Sequence, residues 1–260
     1  MEESKMLSKN LFETLSEKAK ELKYSSITYM EFDNCKNAEI LHNCDDLILL
    51  RDGTMLHFAT RNFDMLIKEI TKMPGKLRLH FVPKKFAQQL IEIGFIEWAE
   101  FADFFNTVLP KTATQLGDVC ETEFLNLNGC DEVSSLSKRC TLQTRGFEGE
   151  SAGWFAEWLG CPDNKVIIQT KDSRIVGYCC VSIYNNGTNL WIREMAVCPN
   201  HQGTGLGKKL MEQAIKYGVE NGAVKGFLAA DLLNKNAIAL YNKYDFYVKD
   251  DETELQMIKE

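Results

Sequence analysis

Apolar positions along this chain switch repeatedly between helical and strand spacing. Leu7, Leu11, Leu15 and Leu22 recur near helical spacing, so an amphipathic helix is expected over residues 7–23. The apolar run Asp46-Leu-Ile-Leu-Leu-Arg51, the turn pair Asp52-Gly53 and the run Met55–Ala59 predict a hairpin. A helix over about 62–73, stopped by Pro74-Gly75, precedes a strand at Leu77–Val82. A further helix near 84–93 leads into strands between Ile96 and Leu109. Lys111–Asp118, with small and polar residues, reads as a linker and divides the chain into domains at 1–115 and 119–260.

The second half begins with a strand near Glu121–Leu127 and a helix from Asp131 to Cys140. The polar stretch Thr144–Gly153 comes before a short aromatic helix, Trp154–Leu159. Strands at Lys165–Thr170 and Arg174–Tyr184 meet at Asp172-Ser173, and Leu190–Val197 is the next strand. A helix over 205–221 places Leu206, Leu210, Ala214 and Tyr217 on one face. Then come a strand at Lys225–Ala230, a helix at Lys235–Tyr244, and a closing strand or hairpin from Phe246. An antiparallel meander feeding a crossover gives an α/β (α+β) sheet rather than a bundle or sandwich.

The halves share a pattern. Leu77–Phe95 runs strand, helix, Gly-Phe, and Gly226–Phe246 runs strand, helix, Asp-Phe, an offset of 246 − 95 = 151 residues. This predicts a duplicated fold.

Composition narrows the function classes. Hydrophobic residues at 45% and charged residues at 26% describe a folded globular chain. A formal net charge of −7 argues against general nucleic-acid binding. No apolar run reaches the ~20 residues a membrane span needs, and the charged Met1–Lys20 segment lacks a signal core, so a cytoplasmic protein is expected. Nine cysteines without metal-ligand spacing predict reduced thiols and no metal site.

The richest chemical signal is His201-Gln-Gly-Thr-Gly-Leu-Gly-Lys-Lys209 between a strand and a helix. Glycines let backbone N–H groups converge, and the helix N-terminus adds the positive end of its dipole, a combination that holds phosphate oxygens. A dinucleotide fingerprint would need a third glycine at position 208, which is Lys. A Walker loop would need glycine at 202 and Ser or Thr at 209, which are Gln and Lys.

Gln202-Gly203-Thr204-Gly205-Leu206-Gly207 resembles instead the Q/R-x-x-G-x-G/A motif of the GNAT (GCN5-related N-acetyltransferase) superfamily. Trp191–Val197 followed by Cys198-Pro199 is similar to the family's fourth strand. Asn234-Lys-Asn-Ala237-Ile-Ala-Leu240-Tyr241 matches its N-x-x-A-x-x-L-Y helix. Asp245 departs from the usual Gly, which predicts a reshaped turn there. The resemblance covers about 140 residues and implies a GNAT-like mixed central sheet flanked by helices, in tandem with a degenerate GNAT-like N-terminal domain.

For function, the resemblance implies an N-acetyltransferase that uses acetyl-CoA as co-substrate and attacks it directly with a primary amine. Backbone groups of Met195, Ala196 and Val197 would pair with the pantetheine arm and polarise the thioester. Amides from Gln202 to Lys208 would hold the pyrophosphate, and Asn234 would bind along the pantetheine or phosphate region. Tyr241 would protonate the leaving thiolate, where the plainer account is a core aromatic. Glu194 is the candidate general base. By strict alternation it shares a face with Ile192 and Ala196, unless a bulge resets the facing. Its plainer role is a structural ion pair.

Arg145, Glu148 and Glu150 fall where relatives line the acceptor pocket. Trp154, Phe155 and Trp158 read first as a helix packed on the sheet, and second as an aromatic wall. The acceptor is a small-molecule or peptide amine of unspecified identity. The N-terminal half has no glycine-rich turn at Ala59–Asn62, and Leu90 stands at the place of Tyr241 (241 − 151 = 90). It would serve as a packing partner, a lid or a homodimer surface. The rival to an enzyme is a non-catalytic acyl-CoA-binding sensor.

Overall fold

The computed structural model describes residues 7–30, 32, 35–141, 144–145, 147–248 and 253–260. Two compact units divide the chain, one of Met1–Glu100 with Glu252–Glu260, the other of Phe101–Asp251.

In the first unit, helix α1 (Lys9–Ala19) starts at Ser8, whose side chain accepts from the Leu11 amide. Strand β1 (Tyr24–Ser25) pairs with β4 (Met55–Thr60), and β2 (Glu39–Asn43), β3 (Leu47–Asp52) and β4 form an antiparallel meander. Gly53 takes φ +57 in the β3–β4 turn, as the Asp-Gly pair predicts. Leu47 and Leu49 face one core, while Ile48 and Leu50 face a second beside α1. The run is continuously apolar because both sheet faces are buried. Helix α2 (Phe63–Thr71) crosses over to β5 (Leu77–Pro83), which lies parallel to β4, and α3 (Ala87–Glu92) follows.

Strand β6 (Ile96–Asn106) carries the chain into the second unit, where α4 (Leu109–Thr114), β7 (Glu123–Phe124) and α5 (Cys130–Arg139) follow. The segment expected as a linker is therefore partly helix. Pro110 sits in its first turn, where a missing N–H costs nothing, and Thr112 is buried with its hydroxyl 2.8 Å from the Asp245 carboxylate. The compact units part at Glu100/Phe101 instead of at 111–118. Helix α6 (Ala152–Gly160) precedes β8 (Asn164–Lys171), β9 (Arg174–Tyr184) and β10 (Asn189–Val197). Asp172 and Ser173 both take positive φ, the geometry of a two-residue hairpin turn. Helix α7 (Leu206–Glu220) crosses to β11 (Lys225–Asp231), and α8 (Lys235–Lys243) leads to β12 (Tyr247–Val248) and β13 (Glu254–Lys259). The turn of the expected closing hairpin, 249–252, lies outside the described residues.

The two units repeat one topology. Each has an antiparallel meander (β2-β3-β4; β8-β9-β10), a crossover helix (α2; α7) and a parallel strand (β5; β11). The strand antiparallel to β5 is β13, and the strand antiparallel to β11 is β6. Each half of the sequence thus supplies the last strand of the other half's sheet. Asp245 also departs from expectation. It adopts φ +59, so the turn keeps the left-handed geometry that Gly94 (φ +93) adopts at the matching place. Its carboxylate accepts from Thr112, which offsets the strain.

Candidate functional site

The site lies where two parallel strands separate. β10 pairs with β11 only over Asn189–Trp191. From Ile192 onward, among the described residues, the β11 side of β10 has no strand beside it. A cavity of about 220 Å³ occupies this opening. Ile192–Ala196 line one wall, Leu228–Asp231 the other, and Asn234, the cap of α8, closes it with Tyr241 of that helix.

Beyond β10 the chain turns through Gly203 (φ +73) and Gly205 (φ +89) into α7. A side chain at either would force an L-residue into left-handed backbone. Lys209 is the first α7 residue whose amide reaches an intrahelical carbonyl, that of Gly205. The amides of Leu206, Gly207 and Lys208 are the first-turn donors a helix cannot satisfy itself. Gly205, the cap residue, supplies no side-chain hydrogen bond to them. Gln202 Nε2 donates to the Val197 carbonyl at 3.2 Å and Thr204 Oγ1 to the His201 carbonyl at 2.6 Å, which ties the loop to the end of β10. Asn234 caps α8, its Oδ1 accepting from the Ala237 amide at 3.2 Å, so its amide group is the part left to face the cavity.

A bulge between Ile192 and Glu194 resets the facing of β10. Strict alternation put Ile192, Glu194 and Ala196 together; instead Ile192 joins the core against α7, and Ala196 the core against α5 and α6. Glu194 shares the Ala196 side. There Tyr178 Oη donates to its Oε1, and Ser137 Oγ stands 3.5 Å from the same atom. Arg193 Nη1 lies 3.4 Å from its Oε2 and 3.0 Å from Glu150 Oε1, with the guanidinium 4.1 Å over the Trp154 ring. The Glu194 side chain is only 9% exposed. Burial pushes its pKa up to about 7, against the opposing pull of Tyr178 and Arg193. A carboxyl raised into this range can take up a proton near neutral pH.

Tyr241 lines the cavity, with its ring centroid 6.0 Å from that of Phe104. Burial, then Cys179, holds its phenol well above the ordinary tyrosine range, so it stays protonated. Asp231 and Arg145 form a bidentate pair across the opening, at 2.6 and 3.0 Å. Burial raises the Asp231 carboxyl, but the Arg145 guanidinium and the Leu233 amide outweigh it and hold the pKa below the usual range.

Of the expected acceptor-pocket residues, Arg145 lines the cavity and Glu150 reaches it through Arg193. Glu148 is not among the lining residues, and Gly146 lies outside the described residues. Trp154, Phe155 and Trp158 pack in the core against α5 and the sheet, as the plainer reading holds. Sequence reasoning missed Tyr178, Ser137 and Asp231. Their signal is faint: polar atoms within buried runs of β9, α5 and β11. Among the described residues, no three His, Cys, Asp or Glu side chains are grouped to hold a metal, and no helix is long and apolar enough to cross a membrane. All nine cysteines are unbridged.

The acetyltransferase (GNAT) family model matches residues 130–246. This stretch is a GNAT-family domain. It contains the separated strands, the glycine loop and α8, so the family match and the cavity coincide. Among solved structures, a GNAT-family acetyltransferase from Colwellia psychrerythraea superposes with TM-score 0.60 at 9% identity, over 98% of each chain. A GCN5-related N-acetyltransferase from Sphaerobacter thermophilus does so with TM-score 0.55 at 14% identity, over 84% of this chain and 82% of its own. A protein from Staphylococcus epidermidis, described as functionally unknown, gives 0.56 at 11% identity, over 90% and 99%. At such identities the likeness is one of fold. It extends through the first unit as well as the GNAT-family domain. No curated protein matches the sequence.

Proposed function

We propose that the GNAT-family domain transfers an acetyl group from acetyl-CoA to a primary amine, on a small molecule or a peptide, in the cytoplasm and without a metal. One observation carries the reading. The edge of β10 at Met195–Val197, with no strand beside it on the β11 side among the described residues, runs from the cavity holding Glu194 and Tyr241 toward the glycine loop and the open amides of α7.

Residues 202–208 hold the pyrophosphate, and the β10 edge binds the pantetheine arm as an added strand. Asn234 adds a side-chain contact. A β10 amide polarises the thioester carbonyl. The neutral amine attacks the carbonyl carbon, and its proton passes to Glu194 as the C–N bond forms. The tetrahedral adduct collapses, the C–S bond breaks, and the thiolate takes the Tyr241 phenolic proton. The products are an amide and CoA. A carboxyl with a pKa near 7 suits the first proton transfer, and burial keeps the phenol protonated and so holding the proton that the second one needs. The first unit is a degenerate copy that has lost the cofactor turn and serves as an accessory domain.

The test is thiol release from acetyl-CoA with a panel of amines: spermidine, lysine, kanamycin and an alanyl peptide. Turnover by the intact protein, with kcat reduced about 10²- to 10⁴-fold in Glu194→Gln, is expected. Acetyl-CoA binding without turnover of any amine would turn the reading toward an acyl-CoA sensor.

A further inference from the structure

Tyr178 is among the largest fully buried side chains of the protein, yet it carries a hydroxyl. Its ring packs edge-on against Phe155, centroids 5.5 Å apart, in the core between β9, α5 and α6. A phenylalanine would satisfy that packing equally well. Burying a phenol hydroxyl is unfavourable unless it finds a partner, and the partner here is the Glu194 carboxylate.

The two oxygens of that carboxylate are not equivalent. Oε1 takes both the Tyr178 hydroxyl and Ser137 Oγ, and Ser137 Oγ in turn accepts from the Glu150 amide at 2.9 Å. Among the described residues Oε2 has only Arg193, at 3.4 Å and shared with Glu150. Tyr178 is fixed on β9 opposite Ala196, so the hydroxyl reaches Glu194 only because the Arg193 bulge has turned that side chain toward α5.

We infer that Tyr178 is the positioning residue of Glu194: it anchors Oε1, leaves Oε2 as the oxygen that takes a proton, and favours the charged form of the carboxyl. The inference deepens the proposed function and rests on it only for the catalytic consequence. The other charged or titratable groups around the carboxyl are Arg193 on β10, Glu150 ahead of α6, Cys140 just past the end of α5, and Cys179 and Cys180 on β9. All of these are retained when the hydroxyl alone is removed. A hydrogen bond donated to a carboxylate favours its charged form, so losing it raises the carboxyl's pKa.

The experiment is a carbon-detected NMR titration of the intact protein labelled at glutamate side-chain carboxyls. The Glu194 signal is assigned by its loss in Glu194→Gln. Tyr178→Phe should move the midpoint upward by about one pH unit, as expected for one charge-assisted hydrogen bond. Ser137→Ala should move it the same way by less, and it serves as the variant if Tyr178→Phe fails to fold. With an amine that turns over, kcat of Tyr178→Phe should fall about five-fold at pH 7 and recover as pH rises, because about a tenth of Glu194 rather than half would be ionised. An unmoved midpoint in the folded variants overturns the inference, even if kcat falls uniformly. A shifted midpoint together with full activity in Glu194→Gln leaves the positioning intact and removes Glu194 as the base.

Discussion

The strand pairs β4/β5 and β10/β11 hold the same place in their units but differ in the turn that leaves the first strand. Both are parallel, both follow an antiparallel meander, and both stop pairing after two or three residue pairs. After β4 the cap residue Asn62 meets first-turn donors locally, its carbonyl accepting from the Met65 amide at 3.2 Å. Asn62 Oδ1 accepts from the Asp64 amide at 3.0 Å, and Thr60 Oγ1 accepts from the Asn62 amide at 3.2 Å. After β10 two left-handed glycines leave the first turn of α7 without a side-chain cap. At the helix that follows, buried Leu90 stands where cavity-lining Tyr241 stands. One topology therefore supports a side-chain-capped turn in one unit and an uncapped donor array in the other. The difference lies in a handful of turn and rim residues, while the sheet topology is common to both.

Substitution at these matched positions should separate the two roles. Tyr241→Phe should lower kcat about 10²-fold with acetyl-CoA affinity and thermal stability nearly unchanged. Leu90→Ala, at the matching place, should cost about 2–5 kcal/mol of stability in denaturant melts and leave acetyl-CoA affinity alone. Equal stability losses at both would erase the contrast.

Glu194 offers a second contrast, between function and stability. Its pKa is raised from 4.5 to about 7 in the folded protein. Below pH 4.5 both folded and unfolded states hold the proton, so the group costs nothing. Between pH 4.5 and 7 the unfolded chain ionises first, and the folded state loses roughly 3 kcal/mol of relative stability. Glu194→Gln should therefore be the more stable protein at pH 8, with the gain vanishing near pH 4, as read from urea midpoints at each pH. The smallest effect is expected at the first unit's turn. Asn62→Ala should cost about 1 kcal/mol through the lost cap and should not alter acetyl-CoA binding.

Much of this was legible before any coordinates. The glycine loop, the strand before it and the α8 signature are local patterns whose spacing survives folding, and they lie on β10, the β10–α7 turn and α8. The facing of Glu194 was legible only as two alternatives, strict alternation or a bulge, and the bulge at Arg193 decides between them by breaking the period of two. The contacts of Tyr178, Ser137 and Asp231 were hidden for another reason. Ser137 lies 57 residues from Glu194, and Arg145 lies 86 from Asp231, so neither pairing leaves a local trace. The exchange of β6 and β13 between the sheets was equally silent. A strand's apolar pattern fixes which face it buries, not which neighbour it pairs with.

The most direct test is calorimetric titration of acetyl-CoA into the intact protein and into a Gly205→Glu variant whose fold is verified by circular dichroism. That substitution puts a carboxylate beside the open amides of α7. Binding with a Kd on the order of micromolar, abolished in the variant, is the result the account predicts. No binding to the intact protein, or equal binding to both, would contradict it.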